Sequence, residues 1–327
     1  MREKFLLYTI SLLFIGLIGH TQEISSLEYS GNVVIPHGYK VDGSTVGGLS
    51  AITLNTSDNF YYLVADKPPS RLFKAEISTG LIPDISLYEA LELTPSLLSQ
   101  SELEGIAYDH KNNKFFVSDE QKNGTRIIEL DTKAEFQRVV EPINQPFLPL
   151  SGHNSGIEGL TISNDLKYLF YAFERPEEEC LENQFVKITK RKIIGTDNNQ
   201  VFYYKLHSVE NDKLNSNGIS EILYISEDRL LVLERAYIPG EGNIVKLYQV
   251  LIEDKNYLDK DISCLDDSVL PLRAQLLFDF ASIAEFEIDN AEGMTFNYDK
   301  SVLYIVTDNN FSKRQQTQII SLDVNWN

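Results

Sequence analysis

A motif that recurs five times along the chain constrains the fold more than any other feature of the sequence. Each copy has a small polar turn, a Glu-Gly pair or a close relative, a short apolar strand, a polar gap and a second strand that ends in a carboxylate. The copies begin roughly 55 to 75 residues apart, a spacing typical of stacked supersecondary units that bury their faces against one another. The copies start at Gly47, Glu104, Glu158, Ser220 and Glu292. The repeat therefore predicts an all-β fold, a β-propeller.

We expect five or six four-stranded blades in this propeller. Residues 27–35 and 318–324 have strand-like patterns, and their pairing would close the ring and remove exposed sheet edges. Five motif copies are visible, and a sixth blade could lie in the divergent residues 176–216 or 250–290. Two segments break the β pattern. Apolar residues at helical spacing in 87–98 predict a short helix on a rim, and the charged segment 175–200 predicts a solvated loop.

Charge is the strongest bias in the composition. The chain has 48 acidic and 29 basic residues, which gives a formal net charge of −19. An acidic protein is repelled by phosphate backbones and by anionic membrane surfaces. The sequence therefore predicts no nucleic-acid partner and favours cations or basic partners.

The N-terminus has the order of regions found in a secretory signal. Arg2 and Lys4 precede an apolar run over 5–18 and small or polar residues at 19–21. The run is shorter than the roughly 20 residues that a spanning helix needs. We therefore expect a signal peptide at 1–21 and a single domain over 22–327. This domain would be a monomer, secreted or periplasmic, without a membrane span.

The cysteines leave one question open. Cys180 and Cys264 are the only two in the chain, and neither lies near the cleavage point to accept a lipid. In an oxidising compartment the two could pair, but only their geometry decides whether they do.

Carboxylates at the ends of the second strands are the first set of candidate site residues. Equivalent positions in a ring of blades meet around one axis, so we expect these groups at one mouth of the central channel. Crowded carboxylates resist joint ionisation unless a cation lies between them. Ca²⁺ accepts several oxygen ligands at variable geometry, and arginine can pair bidentately with a carboxylate. The carboxylates are Asp66, Asp119, Glu174, Glu234 and Asp308, and the arginines that follow them within seven residues are Arg71, Arg126, Arg175, Arg235 and Arg314.

Acidic residues at the blade starts form a second set, comprising Glu104, Glu158, Glu221 and Glu292. In one interpretation they accept backbone N–H bonds, and the glycine that follows most of them adopts a positive φ. In the other they point inward as ligands beside the strand-end carboxylates. The strand-end groups also have two interpretations, as internal braces to their own arginines or as parts of a metal or substrate site.

Several of these segments, taken in order, resemble a known family. The segments are Gly47–Ser50, Glu104–Ala107 with Ser118–Glu120, Gly156–Leu160 with Phe173–Pro176, Leu231–Arg235, and Ala291–Met294 with Thr307–Phe311. The sequence is similar to the phytase-like, or esterase-like, secreted proteins related to β-propeller phytases, over nearly all of residues 40–327. The resemblance implies a propeller fold, export, and phosphoester or ester hydrolysis.

These observations lead to a hypothesis of metal-assisted hydrolysis. Ca²⁺ would neutralise the substrate phosphate and lower the pKa of a bound water, while an acidic neighbour takes its proton. The proposed catalytic residues are Glu158, Glu174, Arg175 and Arg235, with the two arginines as clamps for developing charge. The proposed metal ligands are Glu104, Asp119, Glu292, Asp308, Asp66 and Glu234.

Of two alternatives to metal-assisted hydrolysis, the sequence leaves one open and disfavours the other. A propeller that binds a ligand or a partner protein without chemistry fits the same pattern. A serine esterase is disfavoured, because Ser50 lacks the second glycine of a G-x-S-x-G elbow. Its candidate bases would be His37, His110, His153 and His207.

Overall fold

Five four-stranded antiparallel sheets form a ring in the computed structural model, so the protein is a five-bladed β-propeller. The structure describes residues 22–67, 69–78, 83–93, 101–121, 124–143, 156–176, 184–195, 199–207, 209, 214, 216–256 and 270–327. The predicted signal peptide, both cysteines and His153 lie outside these residues. Within them, no helix is long and apolar enough to cross a membrane.

Each of the first four blades runs along the chain from its innermost to its outermost strand. Before them come β1 (Ile24–Ile35) and a short hairpin of β2 (Lys40–Val41) and β3 (Ser44–Thr45). Blade 1 contains β4 (Leu49–Asn55), β5 (Phe60–Ala65), β6 (Arg71–Ser78) and β7 (Asp84–Glu92). Blade 2 contains β8 (Glu102–Asp109), β9 (Lys114–Gln121), β10 (Gly124–Asp131) and β11 (Phe136–Ile143). Blade 3 contains β12 (Ile157–Ile162), β13 (Tyr168–Phe173), β14 (Phe185–Lys192) and β15 (Gln200–Lys205). Blade 4 contains β16 (Ser216–Ser226), β17 (Arg229–Ile238), β18 (Gly242–Leu251) and β19 (Arg273–Asp279).

Blade 5 combines the two ends of the chain. Its strands are β20 (Asn290–Phe296), β21 (Val302–Asp308) and β22 (Thr317–Trp326), with β1 as the outermost strand. β1 and β22 pair antiparallel from Ile24 opposite Trp326 to Ile35 opposite Thr317. The predicted closure by N- and C-terminal strands is therefore confirmed, as is the all-β propeller.

The hydrophobic core lies between the blades. β9 illustrates the arrangement, because Phe115 packs in the cluster between blades 1 and 2 while Phe116 packs in the cluster that joins blades 2, 3 and 4. Both rings are fully buried. Strands covered on both faces read as unbroken apolar runs, which explains the sequence of the second strands.

The region predicted to hold a short helix is a strand over its described part. β7 pairs with β6, and a bulge near Tyr88 shifts the register between Lys74 and Ala75. The bulge displaces the alternation by one residue, so that Ile85, Leu87 and Ala90 share the half-buried face. This displacement imitates helical spacing, which is why the prediction was wrong for residues 87–92; residues 94–98 of the predicted helix lie outside the described residues.

The charged segment 175–200 is not a loop throughout, because the basic run from Lys187 to Lys192 belongs to β14. The ammonium of Lys190 lies 4.5 Å from the ring centroid of Tyr168 and 5.7 Å from that of Phe170. Long lysine side chains can cover apolar surface while their heads reach water. β14, β15 and β19 fill blades 3 and 4, so the residues described in both divergent segments complete known blades.

The glycines of the repeated motif serve close packing. A Cβ on Gly159 would lie 2.7 Å from the backbone nitrogen of Ile222, and one on Gly105 would lie 2.7 Å from the carbonyl oxygen of Glu158. Neither glycine has a positive φ, so the predicted reason for these glycines was wrong. They allow the innermost strands of neighbouring blades to approach around the axis.

Candidate functional site

A cavity of about 960 Å³ opens where the innermost strands begin and the second strands end. Carboxylates dominate its inner surface, and arginines lie among them. The lining includes Asp66, Glu104, Glu158, Glu174, Glu292, Asp308, Arg175, Arg235 and Arg314. The structure thus brings together eight of the ten sequence-predicted site residues, all but Asp119 and Glu234.

A β-bulge in each innermost strand creates the first of two repeated positions. The register shifts between Leu49 and Ala51 in β4, and between Ile157 and Gly159 in β12. The extra residue has no partner on the second strand, and bulges commonly redirect a side chain next to a functional site. The residues at this bulge position are Ser50, Glu104, Glu158, Ser220 and Glu292.

The second repeated position lies at the end of the second strand of each blade. It is opposite the residue of the innermost strand that comes two positions before the bulge. Asp308 pairs with Asn290, and Glu120 pairs with Glu102. The amide of Asp66 donates to the Gly48 carbonyl over 2.8 Å in the equivalent way. The residues at this strand-end position are Asp66, Glu120, Glu174, Arg235 and Asp308.

Asp119 and Glu234 lie one residue before this position. They pair opposite Leu103 and Ile219, and successive side chains of a strand point to opposite faces. Asp119 accepts from Arg126 Nε at 2.5 Å. Glu234 lies 2.8 Å from His207 Nδ1 and accepts from the Tyr204 hydroxyl. The structure places both carboxylates in side-chain clusters outside the cavity.

Glu120 is the site residue that sequence reasoning missed. One oxygen each of Glu102, Glu104 and Glu120 lie within 4.8 Å of one another. The sequence contained a signal, since Asp119-Glu120 offers two consecutive acids and only the strand pairing tells which one shares the register of Glu174 and Asp308. Alignment on the first acid selected the wrong face.

Arg235 is the basic member of the strand-end position, and it bridges two blades. Its Nη2 lies 3.3 Å from Glu292 and 3.7 Å from Glu174, and its Nη1 donates to Asn290. Burial favours the neutral form of this guanidinium, but the carboxylates of Glu292 and Glu174 outweigh burial and raise the pKa of Arg235. This arginine therefore stays charged and compensates part of the acidic wall.

The predicted pairing of each strand-end carboxylate with its own arginine holds for two blades. Arg126 pairs with Asp119, and Arg175 pairs with Glu174 at 2.9 Å. Arg71 instead donates to the Pro69 carbonyl. Arg235 pairs across blades, and Arg314 lines the cavity. Braces and cavity groups thus coexist at equivalent sequence positions.

Burial and mutual repulsion raise the pKa of several cavity carboxylates. Burial, together with repulsion from Glu158 and Asp66, raises the pKa of Glu104 well above its ordinary value. Burial raises the pKa of Asp66 to about 7, with repulsion from Asp308 as the second cause. Burial also raises the pKa of Glu292 to about 8, although Arg235 opposes the shift. A cation among these groups would favour their charged forms.

Buried oxygen atoms at the cavity support the same conclusion. Among the described residues, Asp66 Oδ1 and Glu174 Oε2 have no hydrogen-bond donor. Buried polar atoms are normally paired, so orphaned oxygens indicate a missing ligand such as an ion. Carboxylate oxygens are the ligands that Ca²⁺ prefers, and its coordination sphere tolerates irregular geometry. The donor set therefore fits a hard divalent cation.

Glu221 has a different role from the other blade-start acids. The bulge in β16 falls at Ser220, so Glu221 occupies the position of the close-packing glycine. Its Oε1 accepts from the amides of Leu160 at 3.0 Å and Ile222 at 2.8 Å. Burial raises the pKa of Glu221, and the two amide bonds oppose this shift. Glu221 fits the interpretation of a blade-start carboxylate that accepts backbone N–H bonds, and it fastens blade 4 to blade 3.

Ser50 lies at the cavity, but its hydroxyl donates to the Leu103 carbonyl over 2.6 Å. The imidazole of His207 stacks on Tyr248 at 3.9 Å between ring centroids, in a separate small pocket. The described residues therefore bring no histidine to Ser50. This geometry gives a serine nucleophile no support.

Comparisons with known proteins found a matching family model and similar solved structures. The family model described as "Phytase-like: Esterase-like activity of phytase" matches residues 44–311. A search of curated proteins gave no match. Among solved structures, an endo-arabinase from Bacteroides thetaiotaomicron is similar at 12% identity and a TM-score of 0.49, over 88% of this chain and 96% of that chain. A β-1,3-galactosidase of glycoside hydrolase family 43 is similar at 11% identity and a TM-score of 0.49, over 90% and 95% of the two chains. At this level neither similarity carries an argument about activity.

Proposed function

Because the chain belongs to the phytase-like family, whose model matches residues 44–311, we propose that it hydrolyses phosphoesters or carboxylic esters with a bound Ca²⁺ in the cavity. We also propose that residues 22–327 form one domain. In this proposal the signal peptide at 1–21 directs export, and the mature protein is a monomer in the periplasm or outside the cell.

One observation carries the proposal, namely the charge imbalance at the two repeated positions. Seven carboxylates occupy them, with Arg235 as the only basic residue. Glu104 and Glu158 are 6% and 7% exposed, and burial together with repulsion from neighbouring carboxylates raises the pKa of both. Burying seven carboxylates beside so few basic groups is costly, whereas a divalent cation offsets the cost.

The residues suited to hold Ca²⁺ are the close group of Glu102, Glu104 and Glu120, together with Asp66, Glu292 and Asp308 across the cavity. Asp119 and Glu234, which are committed to Arg126 and His207, are left out of this set. A bound Ca²⁺ would supply positive charge beside the ester and lower the pKa of a coordinated water.

The protein's own groups have separate tasks in this proposal. Glu158 accepts the proton of the attacking water, since burial and the neighbouring Glu174 raise its pKa and make it a stronger base. Glu174 positions Arg175 through its 2.9 Å ion pair, and the half-buried Arg175 binds the anionic group of the substrate. Arg235, held between Glu292 and Glu174, fixes the shape of the acidic wall.

The test compares 4-nitrophenyl phosphate and 4-nitrophenyl acetate with Ca²⁺ and with chelator. Glu158→Gln removes the base at constant size, and we expect kcat to fall about 100-fold or more. The rim variant Glu287→Gln is the control, since Glu287 is exposed at the same cavity. Full activity of the metal-free protein would overturn the proposal.

A non-catalytic binding propeller is the second candidate. It is favoured by the Ser50 hydroxyl, which donates to the Leu103 carbonyl, and by Arg235, whose Nη atoms already contact Glu174, Glu292 and Asn290. A large stabilisation by Ca²⁺ together with no turnover of either ester would select this candidate.

A further inference from the structure

Apolar side chains line part of the cavity, and from their placement we infer that they bind a hydrophobic group of the ligand. The ligand class is an ester that joins an aryl or alkyl group to phosphate, in preference to the phosphate of a small polyol. The inference that the ligand carries a phosphate rests on the proposed function, whereas the inference that it carries a hydrophobic group rests on this surface alone. We call the surface the apolar wall and define it as Tyr237, Ile283, Phe286 and Ile288.

Most of the remaining lining of the cavity is charged or polar. Tyr237 comes from β17, on the same face as Arg235, and the other members come from the segment that links blade 4 to blade 5. Tyr237 is 39% exposed, and Phe286 and Ile288 are half-buried. Phe286 and Ile288 pack their inner sides on the core between these blades. Their remaining surface is available to a ligand.

Hydrogen bonds hold the linking segment in place. Gln318 Nε2 donates to the Glu287 carbonyl over 3.1 Å, and the Asp289 amide donates to Gln318 Oε1 over 3.0 Å. The Asp289 carboxylate accepts from the Gln316 amide at 2.7 Å. The apolar wall is therefore preformed, and a preformed surface lowers the entropy cost of binding.

The two sides of the cavity together define the ligand. Its volume of about 960 Å³ lies at the upper end of the range for small-molecule sites. A polyol phosphate would engage the charged side and leave the apolar wall in water. An aryl or alkyl phosphate would place its anionic end toward Arg175 and the cation, and its hydrophobic end on Phe286 and Tyr237. Only the second kind of ligand uses both sides.

Three probes separate these contributions by calorimetry with Ca²⁺, in the Glu158→Gln background so that esters are not consumed. The probes are 1-naphthyl phosphate, glycerol 2-phosphate and 1-naphthol. Burial of roughly 60 Å² of apolar surface corresponds to about tenfold in affinity. We expect naphthyl phosphate to bind at least tenfold tighter than glycerol 2-phosphate. Phe286→Ser and Tyr237→Ser should each reduce this ratio and leave the affinity for glycerol 2-phosphate unchanged.

Tyr298→Ser is the matched control, since this 70% exposed tyrosine lines a different cavity. Tyr237→Ser also guards against misfolding of the Phe286 variant, because the Tyr237 side chain reaches solvent. Equal affinities for both phosphates, or a preference that survives both serine variants, would overturn the inference. If naphthol binds at the apolar wall but no phosphate binds, the inference about the wall stands and the proposed phosphoesterase function fails.

Discussion

At the scale of single residues, Arg235 controls the charge balance of the cavity. It is the one basic side chain at the two repeated positions, and it contacts Glu174 and Glu292 from different blades. Removing one partner of a buried ion pair leaves an uncompensated charge. We expect Arg235→Met to lower the free energy of unfolding at pH 7.5 by about 3 to 5 kcal/mol, measured by urea denaturation in chelator.

Lys167→Met provides the comparison, because Lys167 pairs with Asp165 on the surface at 71% exposure. Exposed pairs contribute little, so this variant should unfold like the unmodified protein. If saturating Ca²⁺ restores most of the stability lost by Arg235→Met, the cation and the guanidinium act on the same carboxylates. If Arg235→Met loses as much stability with Ca²⁺ as without it, this would argue against a cation near Glu174 and Glu292.

The carboxylates themselves predict a pH dependence. Burial raises the pKa of Asp66 to about 7 and that of Glu292 to about 8, so the native state binds more protons than the unfolded state above the ordinary carboxyl pKa. The contribution of such groups is fully present at low pH and is lost as pH rises through the folded pKa values. In chelator, we therefore expect Tm to fall between about pH 5 and pH 8.

Calcium should reverse this trend, because it binds the ionised carboxylates of the native state. With millimolar Ca²⁺, the decline in Tm toward pH 8 should become smaller or disappear. Scanning calorimetry at four pH values, with and without Ca²⁺, measures both effects. A Tm that rises toward pH 8 in chelator would contradict the charge description of the cavity.

At the scale of elements, the innermost strands depend on glycine for their spacing. A Cβ added to Gly159 would lie 2.7 Å from the backbone nitrogen of Ile222, which cannot rotate away as a side chain could. Gly159→Ala should therefore cost about 1 to 3 kcal/mol of stability. Ala51→Gly, at the equivalent position of blade 1, should cost less than about 1 kcal/mol. Similar losses for both variants in urea denaturation would show that the contact relaxes freely.

The sequence predicted the elements better than their registers. Five motif copies predicted the blades, and the apolar runs predicted strands buried on both faces, because these patterns reflect burial directly. Bulges escaped prediction, since one extra residue leaves composition unchanged but reverses every side chain beyond it. The bulge in β7 is why this strand was read as a helix, whereas Glu120 was missed because Asp119 and Glu120 are consecutive acids and only the strand pairing shows which of them faces the cavity.

The site was partly predictable for the same reason. The acids at the blade starts and at most strand ends were found from sequence, because each repeat marks them with a turn and a strand. Contacts between blades, such as Arg235 with Glu292, join residues from different repeats. No pattern within one repeat encodes such a contact. The structure was needed to show which acids are braced and which remain uncompensated.

At the scale of the whole molecule, β1 closes the ring, and we expect it to support the propeller as one cooperative unit. Leu27 in β1 is 6% exposed and packs in the core between blades 4 and 5. Leu27→Ala should lower the free energy of unfolding by about 2 to 5 kcal/mol and lower the temperature of the single unfolding transition. Val34→Ala, at a 43% exposed position of the same strand, should cost less than about 1 kcal/mol. Two separate transitions for Leu27→Ala in scanning calorimetry would mean that blade 5 can open while the other blades stay folded, and that closure by β1 does not couple them.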